Sequence, residues 1–351
     1  MRASIIINNF NYGHFLSQAV NSALAQTYAD VEVIVVDDGS TDDSLERMKP
    51  YHGRVVVIAK ENGGQGSCYG AGFLRCTGDI VIFLDADDYL SPRCIERVVQ
   101  VWREKVAKVH FYLDMVDAEG RLLESRMPSG RLASYDALKM MRLFGSYCSP
   151  PGSGNVFSAA FLRTVLPFRN ERELVHSADA VPIFSAPYFG EVVAIREVLG
   201  FYRRHGKANS SVTTVFDRST SLARLESEHK RDVLRDRSWR LASRRLEAPA
   251  FHLLDPSRAK RRLCYLRLNE GKGLVDGDDS VVFLIRCVNA IWHWSGYSLV
   301  QKFLATTWFI LAASLPMSLA ERLIRVALGV GERSHLQKKL LRRGAAAPAR
   351  P

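Results

Sequence analysis

No two of the six cysteines, Cys68, Cys76, Cys94, Cys148, Cys264 and Cys287, stand at a paired or metal-ligand spacing. That removes a disulfide framework and a zinc site, and it suits a reducing compartment. The first residues also lack the basic region and long apolar core of a secretory signal, opening directly into Ser4-Ile5-Ile6-Ile7. The front of the chain is therefore expected to stay in the cytoplasm. An unbroken bilayer-length run is missing as well: residues 303–320 approach one but contain Pro316, which argues against a full single span. The formal charge of +11 lies largely beyond residue 200, in Arg203-Arg204, Arg244-Arg245, Lys260-Arg261-Arg262 and the Lys and Arg pairs near the end. A basic back on an Asp-rich front suggests two partners, a metal-bound polyphosphate and an anionic surface. No nucleic acid is expected, because the basic residues flank apolar and aromatic helices and do not cover one polar face.

The 351 residues are 47% hydrophobic, enough for one large domain or two ordinary ones. The stretch that organises them is residues 78–92, GDIVIFLDADDYLSP. Its apolar run scarcely alternates, as in a strand buried on both faces of a parallel sheet. It delivers Asp85, Asp87 and Asp88 to one point, where two or more carboxylates can reach one hard cation. The bland alternative is a set of solvated turn and N-cap aspartates. Four β-type runs, residues 3–8, 31–36, 54–59 and 79–84, alternate with helical patterns, which implies right-handed βαβ units and a parallel sheet. Each run ends in polar residues: NNFN, DDGST, ENGGQG and DADD. Four such endings on neighbouring strands converge on one crevice, which favours a site. The Gly-rich stretch holding Gly63, Gly64, Gln65 and Gly66 is either a close backbone passage or a loop facing a ligand, and its position favours the loop.

Residues 4–44, 61–88 and, more loosely, 201–211 resemble the inverting glycosyltransferases of family 2, which have the GT-A fold. The resemblance implies an α/β, Rossmann-like, mostly parallel sheet with helices on both faces, followed here by a C-terminal helical region. It implies that Asn8, Phe10 and Asp38 line a nucleotide base pocket. Asp85 and Asp87 would form a DxD motif on the ribose and on Mn²⁺ or Mg²⁺ at the diphosphate of a UDP-sugar donor. The residues Cys68-Tyr69-Gly70 stand where the family commonly has Ala-Arg-Asn. Asp179 falls at the position of the family's base, with Ala178 replacing the usual preceding Glu; His176 and Asp136 are lesser candidates. His205 is expected at the metal or diphosphate, with a structural role as its alternative, and Arg203 and Arg204 at phosphate oxygens. Sugar transfer asks for such residues, since a metal stabilises the leaving diphosphate and a carboxylate deprotonates the attacking hydroxyl. No second carboxylate pair suggests glycoside hydrolysis.

The expected organisation is a catalytic domain over residues 1–215, split into a nucleotide-sugar half (1–92) and an acceptor half (93–215), a helical region over 216–340 and a disordered tail over 341–351. Residues 93–124 read as an amphipathic helix and a hairpin, and 149–155, SPPGSGN, as irregular. A charged helix is expected over 218–246, with a stripe of Leu222, Leu225, His229, Val233 and Leu234. Between residues 280 and 320 the formal charges are only Arg286 and Lys302, beside Trp292, Trp294, Tyr297 and Trp308. These suggest helices seated on the cytosolic face of the cell membrane, peripheral or monotopic, with a packed subdomain or homodimer through the C-terminal helices as the other reading. A saccharide or lipid-linked saccharide is the expected acceptor. The alternative function is a catalytically inactive nucleotide-sugar-binding scaffold.

Overall fold

Strand β1 (Ala3–Asn9) is central because its isoleucines are wanted on both sides of a sheet. Ile5 and Ile7 pack with Leu16, Ala19, Val20 and Ala23 of helix α1 (Gly13–Leu24). Ile6 points the other way, toward α3 (Gln65–Arg75), where a Cβ on Gly72 would stand 2.4 Å from Ile6 Cγ2. Successive strand residues alternate in face, so helices cover both faces, and Gly72 is what lets α3 lie so close. The structure is a computed structural model and describes residues 1–168, 178–205, 218–242, 253–279 and 281–328.

The chain divides into two units. In the first, β2 (Val31–Asp37), β3 (Val56–Ala59) and β4 (Ile80–Asp85) extend β1 in the parallel order β3-β2-β1-β4, close to the runs expected from the sequence. The sheet continues as β8-β6-β9-β5. Strand β8 (Asn155–Ser158) is antiparallel to both β4 and β6 (Val106–Val116), whereas β6 and β9 (Glu191–Arg203) run parallel. β7 (Leu122–Met127) forms the expected hairpin with β6. The two-residue β5 (Tyr89–Leu90), immediately after the three aspartates, pairs with Phe201 and Gly200 near the end of β9. Helix α2 (Ser44–Met48) follows β2, α4 (Cys94–Val101) lies between β5 and β6, α5 (Ala137–Phe144) precedes β8, and α6 (Ala159–Val165) and α7 (Ala180–Phe189) separate β8 from β9.

The loop before β8, irregular as expected, is held from below. Asn155 Nδ2 donates to the carbonyls of Pro150, Pro151 and Gly152 at 3.2, 2.7 and 3.2 Å. The fully buried Lys108 donates to Tyr147 Oη and Ser149 Oγ at 2.9 and 2.7 Å, and burial pulls its pKa well down. A buried network in which each donor finds an acceptor fixes one loop conformation.

The second unit includes α9 (Pro256–Leu268), α10 (Val281–His293), α11 (Leu299–Ser314) and α12 (Met317–Ala327). Asp255 caps α9, accepting from the Ser257 and Arg258 amides, and Ser298 with Gln301 closes a capping box on α11. Ala259, Leu263, Phe283, Cys287, Ile291, Phe309 and Ala312 form its core. The charged helix α8 runs over Arg218–Ala242. Its expected apolar stripe is interrupted: Leu225 is buried against Cys264 and Ile324, but Val233 is exposed, and the Leu234 side chain lies outside the described residues. Pro316 separates α11 from α12, and among the described residues no helix is long and apolar enough to cross a membrane.

Candidate active site

Strand register builds the centre of the site. Asn8 pairs with Asp85 across β1 and β4, so their side chains leave on the same face, and Asn8 Nδ2 donates to Asp85 Oδ1 at 2.8 Å. The Asp85 amide donates sideways to Ser153 Oγ at 3.1 Å, and a turn follows in which the Asp88 amide returns to the Asp85 carbonyl at 3.0 Å. That turn brings carboxylate oxygens of Asp85, Asp87 and Asp88 within 4.8 Å of one another. Burial, then Asp87, pushes the Asp85 carboxyl up to about 7. Burial, then Asp87 and Asp85, raises Asp88 well above the carboxylate range. Asp88 Oδ1 accepts the Arg203 amide at 2.9 Å, while its Oδ2 is buried without a hydrogen-bond partner. Three crowded carboxylates and an orphaned oxygen suit a hard divalent cation, which would relieve the repulsion and fill the vacant lone pairs.

Asp38 has another task from the one expected at a base edge. It is 3% exposed, and it accepts from the Gly63 and Gly64 amides at 3.0 and 2.7 Å and from Lys60 Nζ at 2.7 Å. Two amides of the Gly-rich loop are therefore turned onto Asp38, where facing a sugar was expected of them. Gly64 has φ +82°, a conformation that glycine adopts freely, and Gly66 is buried in the first turn of α3. Phe10 stands exposed at the end of β1. Its neighbour Asn9 donates to Asp37 Oδ1 at 2.7 Å, locking the two strand ends together.

Gln65 reaches both ways across the crevice. Its Nε2 lies 3.3 Å from Asp85 Oδ1, and its Oε1 accepts the Ala178 amide at 2.9 Å. The next residue, Asp179, precedes α7 without capping it; its Oδ2 instead accepts the Gly152 amide at 3.0 Å. Beside Gly152 lies Tyr69 Oη, 3.3 Å from where a Cβ on that glycine would sit. Tyr69 is fully buried and stacked on Phe83 at 3.9 Å, and burial, then Asp85 and Asp179, raise its hydroxyl pKa. The Tyr202 hydroxyl also feels this charge: its pKa is raised by burial and then by Asp88, Asp87, Asp85 and Asp179. Ser153, Gly152 and Tyr202 escape sequence reasoning as individual residues. The signal for the first two was the breaker cluster of residues 149–155.

Arg203 corrects the expectation at the diphosphate. It is 3% exposed, and its guanidinium donates to the carbonyls of Asp87, Asp117 and Ala118 at 2.9, 3.2 and 2.7 Å and to Gln18 Oε1 at 2.5 Å. It also lies 4.5 Å from the Phe15 ring centroid. A fork so occupied braces the aspartate turn and leaves only one of its five N–H groups for phosphate. Arg203→Ala should lower stability by about 3 kcal/mol, because buried carbonyls lose their donors; thermal unfolding checks this. Weaker nucleotide binding by Arg203→Lys at an unchanged melting temperature would restore the phosphate role. Arg204 is half-buried, with its amide on the Val116 carbonyl at 2.8 Å. His205 belongs to the second unit and is not one of the three side chains in that carboxylate group. His176 lies outside the described residues. Asp136, at the entry to α5, accepts the Ser134 amide at 3.0 Å.

Residues 4–163 match the family described as glycosyl transferase family 2. The chain is 36% identical over 217 residues to an uncharacterized glycosyltransferase of Nostoc, covering 60% of this chain and 66% of that protein. It is 35% identical over 127 residues to the chondroitin synthase of Escherichia coli, covering 35% of this chain and 18% of that one. The chain thus spans less than two thirds of either relative. Among solved structures, residues 1–349 of S. aureus TarS with UDP-GlcNAc align over 98% of this chain and 90% of that one, at 16% identity and a TM-score of 0.49.

Proposed function

We propose, from the match of residues 4–163 to glycosyl transferase family 2, that this chain transfers a sugar, with inversion, from a UDP-linked donor to an acceptor hydroxyl. The observation that carries the reading is the cluster of Asp85, Asp87 and Asp88 with its orphaned Asp88 Oδ2. These residues would hold Mn²⁺ or Mg²⁺, which when bound supplies Lewis-acid stabilisation of the charge developing on the leaving diphosphate. Asn8 and Gln65 hold Asp85 in place with their amide groups. Phe10 offers an exposed aromatic face to the base at the end of β1. Asp38 fixes the neighbouring Gly63-Gly64 backbone, and so shapes the pocket from behind.

Asp179 is the base that takes the proton of the attacking hydroxyl. It lies close enough to the metal-binding carboxylates to raise the Asp85 pKa, and its Oδ2 is aimed by the Gly152 amide. Inversion requires base and leaving group on opposite faces of the sugar, and the β4 turn and the start of α7 supply two separate elements for those roles. The acceptor is a lipid-linked saccharide presented at an anionic membrane surface, a reading supported by the apolar helices of the second unit. Titration of UDP into the metal-free protein and into protein with excess Mn²⁺ tests the donor site. Binding is expected only with Mn²⁺ and should vanish on chelation. Metal-dependent binding of GDP and not UDP would overturn the uridine assignment, and binding of neither would overturn the donor site itself.

A further inference from the structure

Helices α10 and α11 are apolar on both sides. α10 buries Phe283, Cys287 and Ile291, yet Val281, Ile285 and Trp292 on its other side are 75%, 62% and 39% exposed. α11 buries Phe309 and Ala312, while Val300, Phe303 and Ile310 are 61%, 60% and 46% exposed. A helix on the surface of a water-soluble domain normally turns polar residues outward. Here Arg286 and Lys302 are the only charges between residues 281 and 314. The two outward faces join: Trp292 and Phe303 meet edge to face at 5.1 Å, and an open groove of about 500 Å³ runs between the helices, lined by Ile285, Val288, Trp292 and Ile310. So large a contiguous apolar surface calls for an occupant.

Charge decides which one. Across α10, α11 and α12 the charged residues are Arg286, Lys302, Arg322 and Arg325 against the single acid Glu321, itself paired with Arg325 at 2.5 Å. A two-fold contact through this face would set it against its own image, basic residues against basic residues. An anionic bilayer complements both features: its acyl boundary takes the aliphatic side chains, Trp292 is of the type favoured at the headgroup level, and the arginines and lysine meet lipid phosphates. The sequence after α12 adds Arg333, Lys338, Lys339, Arg342 and Arg343 against Glu332. We propose that the joined outer face of α10 and α11 seats this chain on an anionic lipid bilayer. This deepens the membrane partner of the proposed function, but its test is read without any transfer reaction.

The test is co-sedimentation of the full chain with vesicles of phosphatidylcholine alone or mixed with phosphatidylglycerol, at low and high salt. The wild type should partition onto the anionic vesicles at least about tenfold better than onto neutral ones, and high salt should weaken it. The double variant Ile285→Ser with Phe303→Ser should lose about tenfold or more, its melting temperature and UDP titration unchanged. Both residues are exposed, so the variant keeps the interior of the unit intact. Equal partition of variant and wild type, or no partition onto anionic vesicles, overturns the proposal. A dimer in light scattering that the double variant dissolves also overturns it and gives the face to a second copy. Vesicle binding by a wild type that fails to bind UDP would leave this inference standing while the donor reading falls.

Discussion

Asp87→Ala should cost UDP at least about a hundredfold in affinity in the presence of Mn²⁺, close to 3 kcal/mol, and should at the same time make the metal-free protein more stable. Both effects have one origin. After burial, Asp87 is the charge that most raises the pKa of Asp85 and of Asp88, so removing it relieves the repulsion that a cation would otherwise relieve. The pH dependence follows in sign. The Asp85 carboxyl moves from 3.8 to about 7 on folding, so between those values the folded state keeps a proton that the unfolded chain releases. Stability of the metal-free protein therefore falls as pH rises across that window. Mn²⁺ competes with the same proton, so its apparent affinity should climb over the window. Calorimetry and thermal unfolding at about pH 5 and about pH 8 would read all of this. An affinity within about threefold of wild type would remove the β4 turn from donor binding.

The second large effect belongs to Asp179→Asn. The amide keeps an oxygen for the Gly152 N–H but cannot accept the acceptor's proton, so turnover should fall by about a thousandfold with UDP and Mn²⁺ bound as before. Release of UDP during a screen of sugar donors measures it. Asp179→Ala should be no more active, and should in addition loosen the loop that carries Gly152. A variant whose nucleotide affinity falls in step with its turnover would show Asp179 to be holding the pocket together. A wild type that binds UDP but turns over no donor would be the inactive scaffold.

The front of the fold is legible because each local signal agrees with the next. The isoleucines of β1, the 3.6-residue pattern of α1 and the acidic strand ends all call for a doubly covered parallel sheet. The back half is less legible for a definite reason: β8 is four residues long and antiparallel to both neighbours, so no crossover pattern announces it. At the site, the sequence names the three aspartates through their spacing. It places Arg203 at the diphosphate because basic residues near a polyphosphate site invite that role. Only the fold reveals that three backbone carbonyls reach the guanidinium first. Gln65 is named for its loop, but its link to Ala178 spans 113 positions, beyond any local pattern.

Arg203 also has a bearing on the order in which this protein can come into being. A ribosome delivers β1 to β4 and all three aspartates in the first 88 of the 351 residues. Yet the brace on the Asp87 carbonyl and the amide that holds Asp88 both belong to a residue made more than a hundred positions later. The same guanidinium reaches back 185 positions to Gln18. A nascent front half can therefore assemble its parallel strands while its acidic turn still lacks these anchors. The acidic turn is completed by the part of the chain that follows it, so the two halves of the first unit depend on each other as one working piece.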